Sequence, residues 1–149
     1  MTRPHDSLIV QTLTRLMLPV IQLYGLYVLF FGQYGPGGGF VGGVIFGASL
    51  ILSLLVFGLP AQGSFIGRTV LYGDGLGLVV FAGIGVVSIL WGGEFLHYAL
   101  LHVPGLTAPS QRSLGIVGAQ IGVAMDVAAT AVSIFISLSP EGLEADSHD

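Results

Sequence analysis

The chain has no cysteine and no lysine, and only 12 of its 149 residues carry a formal charge. Without cysteine there is no disulfide, no zinc–thiolate or iron–sulfur ligand and no thiol nucleophile. Four arginines against eight acidic residues give a net charge of −4, which leaves no basic patch for a nucleic acid. Charged residues make up 8% of the chain, where a soluble domain uses about 25%. So few charges do not coat a water-facing surface, and a hydrophobic content of 53% excludes a disordered chain. What is present instead is apolar residues and 24 glycines. Small residues let helix backbones approach closely in lipid, so the composition reads as an integral membrane protein.

The positions of the charges divide the chain. Between Arg15 and Arg68 lie 52 uncharged residues, room for two spans of about 20 residues each and a loop. Gly32-Gln-Tyr-Gly-Pro-Gly-Gly-Gly39 supplies the loop, because clustered Gly and Pro break a helix. Spans are expected at about 8–31, 40–59, 75–93 and 114–138. They form one all-α domain over 1–138, a small bundle of four transmembrane helices, followed by an acidic tail over 139–149. The first span is too long for the apolar core of a signal peptide and lacks a small-x-small cleavage site. The two-residue alternation of a membrane β-barrel strand is missing as well.

An even number of spans puts both termini and the second loop on one side, together with Arg3, Arg15 and Arg68. The other side has Arg112. The positive-inside rule then places the termini in the cytoplasm.

Two of the expected helices carry small-residue stripes. Gly39, Gly43 and Gly47 recur every four residues on the second. On the fourth, Gly115, Gly118, Gly122, Asp126, Ala129, Thr130 and Ser133 follow the spacing of one helical face. Such stripes hold a bundle together or meet another subunit, and Gly43, Gly47, Gly118 and Gly122 are the packing candidates.

Asp126 is the ionisable residue well inside an expected span. An aspartate at the centre of a membrane helix costs about 2.5–3.5 kcal/mol on insertion scales. It is read either as a proton or cation contact or as a buried polar anchor that fixes packing. Asp74 and Glu94 fall near expected span ends, where solvation is the simpler reading. Glu94 and His97 share the spacing of half a di-iron motif, but that site needs two copies and two further carboxylates. His102 follows nearby, and Trp91 and Tyr98 fit a headgroup-level position. No metal site and no cofactor is expected. Gly37-Gly-Gly-Phe-Val-Gly42 matches G-x-G-x-x-G in form. However, no strand precedes it, no acidic residue follows until Asp74, and no G-K-[ST] is present, so nucleotide binding is rejected.

The run from Pro19 to Gly43, with Pro36-Gly-Gly-Gly-Phe40 and then Gly42-Gly43, resembles the MnhB subunit of the Mrp (Mnh) multisubunit cation/proton antiporters. The last helix, with Gly122 four residues before Asp126, is similar to that family's last helix. The resemblance covers about 14–137, and the Pro-Gly-Gly-Gly-Phe block is its more specific part. It implies an accessory subunit of a bacterial inner-membrane complex that exchanges Na⁺ or another monovalent cation for H⁺. The chain would have no catalytic centre of its own, and its partners would be other membrane subunits and the bilayer. The same domain occurs in complex-I-related membrane-bound hydrogenases, so a redox-driven ion pump stands as the alternative. The resemblance assigns Pro36, Gly37, Gly38, Gly39 and Phe40 to a fixed loop geometry, with Phe40 anchoring the second helix. It leaves Asp126 as the candidate for ion or proton contact.

Overall fold

The computed structural model describes residues 8–32, 34–58, 63–90, 92 and 108–139, with side chains except at 63–71 and 108. Among these residues four helices follow in chain order: α1 (Leu8–Phe31), α2 (Gly39–Phe57), α3 (Gly63–Leu90) and α4 (Ala108–Leu138). No strand occurs among the described residues. Each helix contains a segment long and apolar enough to cross a membrane. Helices are the expected solution there, because every backbone N–H and C=O must find its partner within the segment. The 19 residues of α2 span about 28 Å, close to the ~30 Å hydrocarbon core. Helix α3, at 28 residues, begins at Gly63, well before the apolar run that starts at Gly75. Backbone hydrogen bonding does not stop where hydrophobicity dips, and Asp74 therefore sits within the helix. Pro19 lies inside α1, where it removes one backbone hydrogen bond to the preceding turn.

The turn between α1 and α2 is folded back on α1. Tyr34 N–H donates to Phe31 O at 3.0 Å, and Gly38 N–H donates to Val28 O at 3.2 Å. Gly38 has φ +111°, a region that a side chain rarely tolerates. Helix α2 then starts, with Gly42 N–H donating to Gly38 O at 2.9 Å.

Helix α4 is the central element. It packs on α2 and on α3, while α1 packs chiefly on α2. Its two contact faces are nearly opposite. Gly118, Gly122, Asp126 and Ala129 meet α3, whereas Gln120, Ala124, Val127, Ala128 and Ala131 meet α2. The bundle is therefore open, in the lateral order α1–α2–α4–α3. Rising residue numbers on α3 meet falling ones on α4 (Gly73 with Ala129, Gly77 with Gly122, Ile84 with Gly118), so these two run antiparallel.

Burial is inverted relative to a soluble protein. The buried apolar residues are Val28, Leu29, Ala119, Ala124, Ala128 and Val132, mostly small. The most buried side chains are two serines, Ser49 and Ser88. Each returns its hydroxyl to its own helix, Ser49 to Phe46 O at 2.7 Å and Ser88 to Ile84 O at 3.1 Å. Large apolar side chains such as Leu16, Leu23, Leu55 and Val79 face outward. Lipid tails are as apolar as leucine, so association here rests on close van der Waals contact between small residues rather than on a hydrophobic drive.

Candidate functional site

Of the sequence-level candidates, the Pro-Gly-Gly-Gly-Phe block has the clearest geometry. Pro36 is exposed at the turn. A Cβ on Gly37 would lie 2.9 Å from Val28 O, against the end of α1. Gly38 supplies the positive φ. A Cβ on Gly39 would overlap the backbone of Gln120 on α4. The three consecutive glycines thus meet three separate demands: contact with α1, a left-handed backbone, and contact with α4. Phe40 is 64% exposed, so within this chain its ring does not hold the start of α2. Gly39 and the Gly38–Val28 hydrogen bond do that.

The packing candidates lie at helix crossings. A Cβ on Gly43 would stand 2.8 Å from Ala124 O, and one on Gly47 would stand 3.1 Å from Ala131 Cβ. On the other side of α4, a Cβ on Gly122 would reach Gly77 O and Phe81 N at 2.9 Å, and one on Gly118 would reach Ile84 Cδ1 at 2.8 Å. Gly77 is the reciprocal of Gly122, since its Cβ would lie 2.6 Å from Asp126 N. Backbones of α3 and α4 therefore touch at the level of Asp126.

That close approach brings polar groups of α3 and α4 together. Thr130 Oγ1 donates to Asp74 Oδ1 at 2.7 Å. Asp126 neighbours Asp74 across this crossing, since Gly77, three residues after Asp74 on α3, is packed against the Asp126 backbone. Asp74 and Asp126 are half-buried, and Thr130 is exposed. Asp74, read from the sequence as a solvated charge near a span end, is half-buried and accepts the Thr130 hydrogen bond beside the crossing where Asp126 sits. The signal was present upstream of it: Val70, Leu71, Tyr72 and Gly73 continue the apolar character of the span to its N-terminal side.

Gln120, the other polar residue of the fourth apolar stretch, sits beside the start of α2. Its Oε1 is buried and has no hydrogen-bond partner among the described residues. Among the described residues no group of three His, Asp or Glu is arranged to hold a metal ion. Glu94, His97, His102, Trp91, Tyr98 and the tail over 140–149 lie outside the described residues.

Four helices long and apolar enough to cross a membrane, glycine-mediated crossings and two neighbouring aspartates where α3 meets α4 define a polytopic α-helical membrane protein. Residues 9–133 match the family model described as a domain related to the MnhB subunit of Na⁺/H⁺ antiporter, and the chain belongs to that family. It is similar to a Na⁺/H⁺ antiporter subunit of Bacillus subtilis (strain 168), 33% identical over 132 residues, covering 84% of this chain and 92% of that one. It is also similar to the antiporter subunit mnhB2 of Staphylococcus haemolyticus (strain JCSC1435), 26% identical over 137 residues, 91% of this chain and 96% of that one. A shorter match, 40% identical over 53 residues, joins it to mnhB2 of Staphylococcus aureus (strain Newman), 36% of this chain and 38% of that one.

Proposed function

We propose that the chain is an accessory, non-catalytic membrane subunit of a multisubunit Na⁺/H⁺ antiporter, embedded with cytoplasmic termini in a bacterial inner membrane. The observation that carries this reading is the similarity to the Bacillus antiporter subunit, which spans nearly the whole of both chains. The family match over residues 9–133 and the four apolar helices support it. The names of the relatives favour an antiporter over the redox-driven ion pump.

In this role the helices supply structure, and the Asp74–Asp126 pair supplies the chemistry. Two neighbouring carboxyls between packed helices are a place where a proton or cation would be held and given up. The wider complex would carry the principal ion pathways, with this pair contributing at one of its interfaces. Gly37, Gly38 and Gly39 would keep α1, α2 and α4 in register. Gly43, Gly47, Gly118 and Gly122 would set the helix spacing that brings the carboxyls together.

The test is complementation. Everted vesicles from cells expressing every other subunit of the antiporter, but not this chain, are expected to lose Na⁺-dependent proton movement. Supplying this chain restores it. Unchanged exchange without the chain would overturn the reading.

A further inference from the structure

Helix α4 exposes one flank between α2 and α3. At one end this flank is a groove of about 200 Å³ lined by Gly39, Phe81, Ile116, Ala119, Gln120 and Val123. The groove points along the bundle toward the carboxyl pair. Val123 and Thr130 are seven residues apart on α4, and Phe81 and Asp74 are seven apart on α3, so each pair shares a helix face. Because α3 and α4 are antiparallel, both rows run the same way, from Gln120 and Phe81 at one end to Asp74, Asp126 and Thr130 at the other.

We propose that this flank seats a membrane-spanning helix of another subunit, one that presents a lysine or arginine level with Asp74 and Asp126. The proposal rests on the subunit reading above and adds the surface and the partner's chemistry. Lipid is a poor occupant. Both carboxyls are part-exposed at mid-helix and Thr130 is exposed, and an aspartate facing hydrocarbon costs about 2.5–3.5 kcal/mol. Two neighbouring aspartates on one flank carry negative charge, which a basic side chain at their level neutralises. This chain does not supply that cation among its described side chains. Arg15 lies over the Phe57 ring, 5.4 Å from its centroid. Arg112 is on α4, 14 residues before Asp126, about 21 Å along the helix. A second copy offers no lysine, and its arginine nearest in sequence to either acid, Arg68, comes six residues before Asp74 on α3, about 9 Å along the helix.

Two experiments on the intact complex decide the matter. In the first, p-benzoylphenylalanine replaces Ile134, which lies one turn beyond Thr130, and the complex is irradiated in the membrane. The expected product joins position 134 to a peptide from another subunit whose apolar span contains Lys or Arg. Adducts only to lipid, to a second copy, or to a span without a basic residue would overturn the proposal. In the second, the double variant Asp74→Asn with Asp126→Asn leaves the partner's cation unpaired. Retention of that subunit with the tagged chain is expected to fall at least about tenfold, as the loss of one side of a buried charge pair does. Retention returns when the partner's basic residue is replaced by Met. Undiminished retention of the double variant would contradict the proposal. Because both readouts report contact rather than ion exchange, a complex that assembles without the crosslink overturns the surface alone. A chain that copurifies with no other subunit overturns the subunit reading as well.

Discussion

At the residue scale the account turns on Asp126 and Asp74. Replacing Asp126 by Asn preserves shape and hydrogen bonding but removes the proton-binding group. In the intact complex, Asp126→Asn is expected to lower Na⁺-dependent proton exchange at least about tenfold, on the order of a lost proton-transfer group, while assembly persists because Asp74 still carries a charge. Transport in proteoliposomes together with subunit recovery checks both halves, and unchanged exchange would make Asp126 a packing residue. Asp126 was legible in the sequence because an acid flanked on both sides by apolar residues stands out. Its partner was not. Asp74 bounds an uncharged run, and a reading that ends the span at the first charge assigns it to water. The helix continues through it to Gly63. The pairing is then made by a crossing, Gly77 against Asp126, which no local pattern encodes.

At the element scale the glycines separate into two kinds, with opposite consequences. Gly77 and Gly43 stand where a Cβ would press on backbone, 2.6 Å from Asp126 N and 2.8 Å from Ala124 O respectively. A helix backbone does not rotate aside as a side chain does. Gly77→Ala and Gly43→Ala are therefore expected to push α4 off its neighbour and to cost about 1–3 kcal/mol each, the range of overpacking. Gly77→Ala also parts the carboxyl pair, so exchange falls with it. Gly75 and Gly83 are on α3 as well, but a Cβ at either would meet nothing within 4 Å in this chain. Gly75→Ala is expected to change stability by less than about 0.5 kcal/mol, the ordinary range of an uncrowded substitution. Thermal unfolding of the purified complex in detergent orders the variants, and equal midpoints for Gly77→Ala and Gly75→Ala would refute the crossing. The spacing of Gly39, Gly43 and Gly47 indicated a packing face in advance. What that face meets, α4 rather than α1, depends on which of two sides of α2 each partner takes.

For the whole molecule, composition and charge placement were enough for the membrane, the all-α class and the number of helices. Twelve charges in 149 residues leave little freedom in that reading. The lateral order α1–α2–α4–α3 was not readable. In lipid, outward and inward faces are both apolar, so hydrophobic periodicity does not reveal which helix is central. The open flank of α4 between α2 and α3 leaves room for neighbours beyond this chain. The central claim is that those neighbours are antiporter subunits. The most direct measurement is the composition of the complex purified from native membrane through a tag on this chain. The account predicts the other subunits of a Na⁺/H⁺ antiporter, recovered in fixed proportion to the tagged chain. A monodisperse species of this chain alone that exchanges Na⁺ for H⁺, or a complex with iron–sulfur redox subunits, would contradict it.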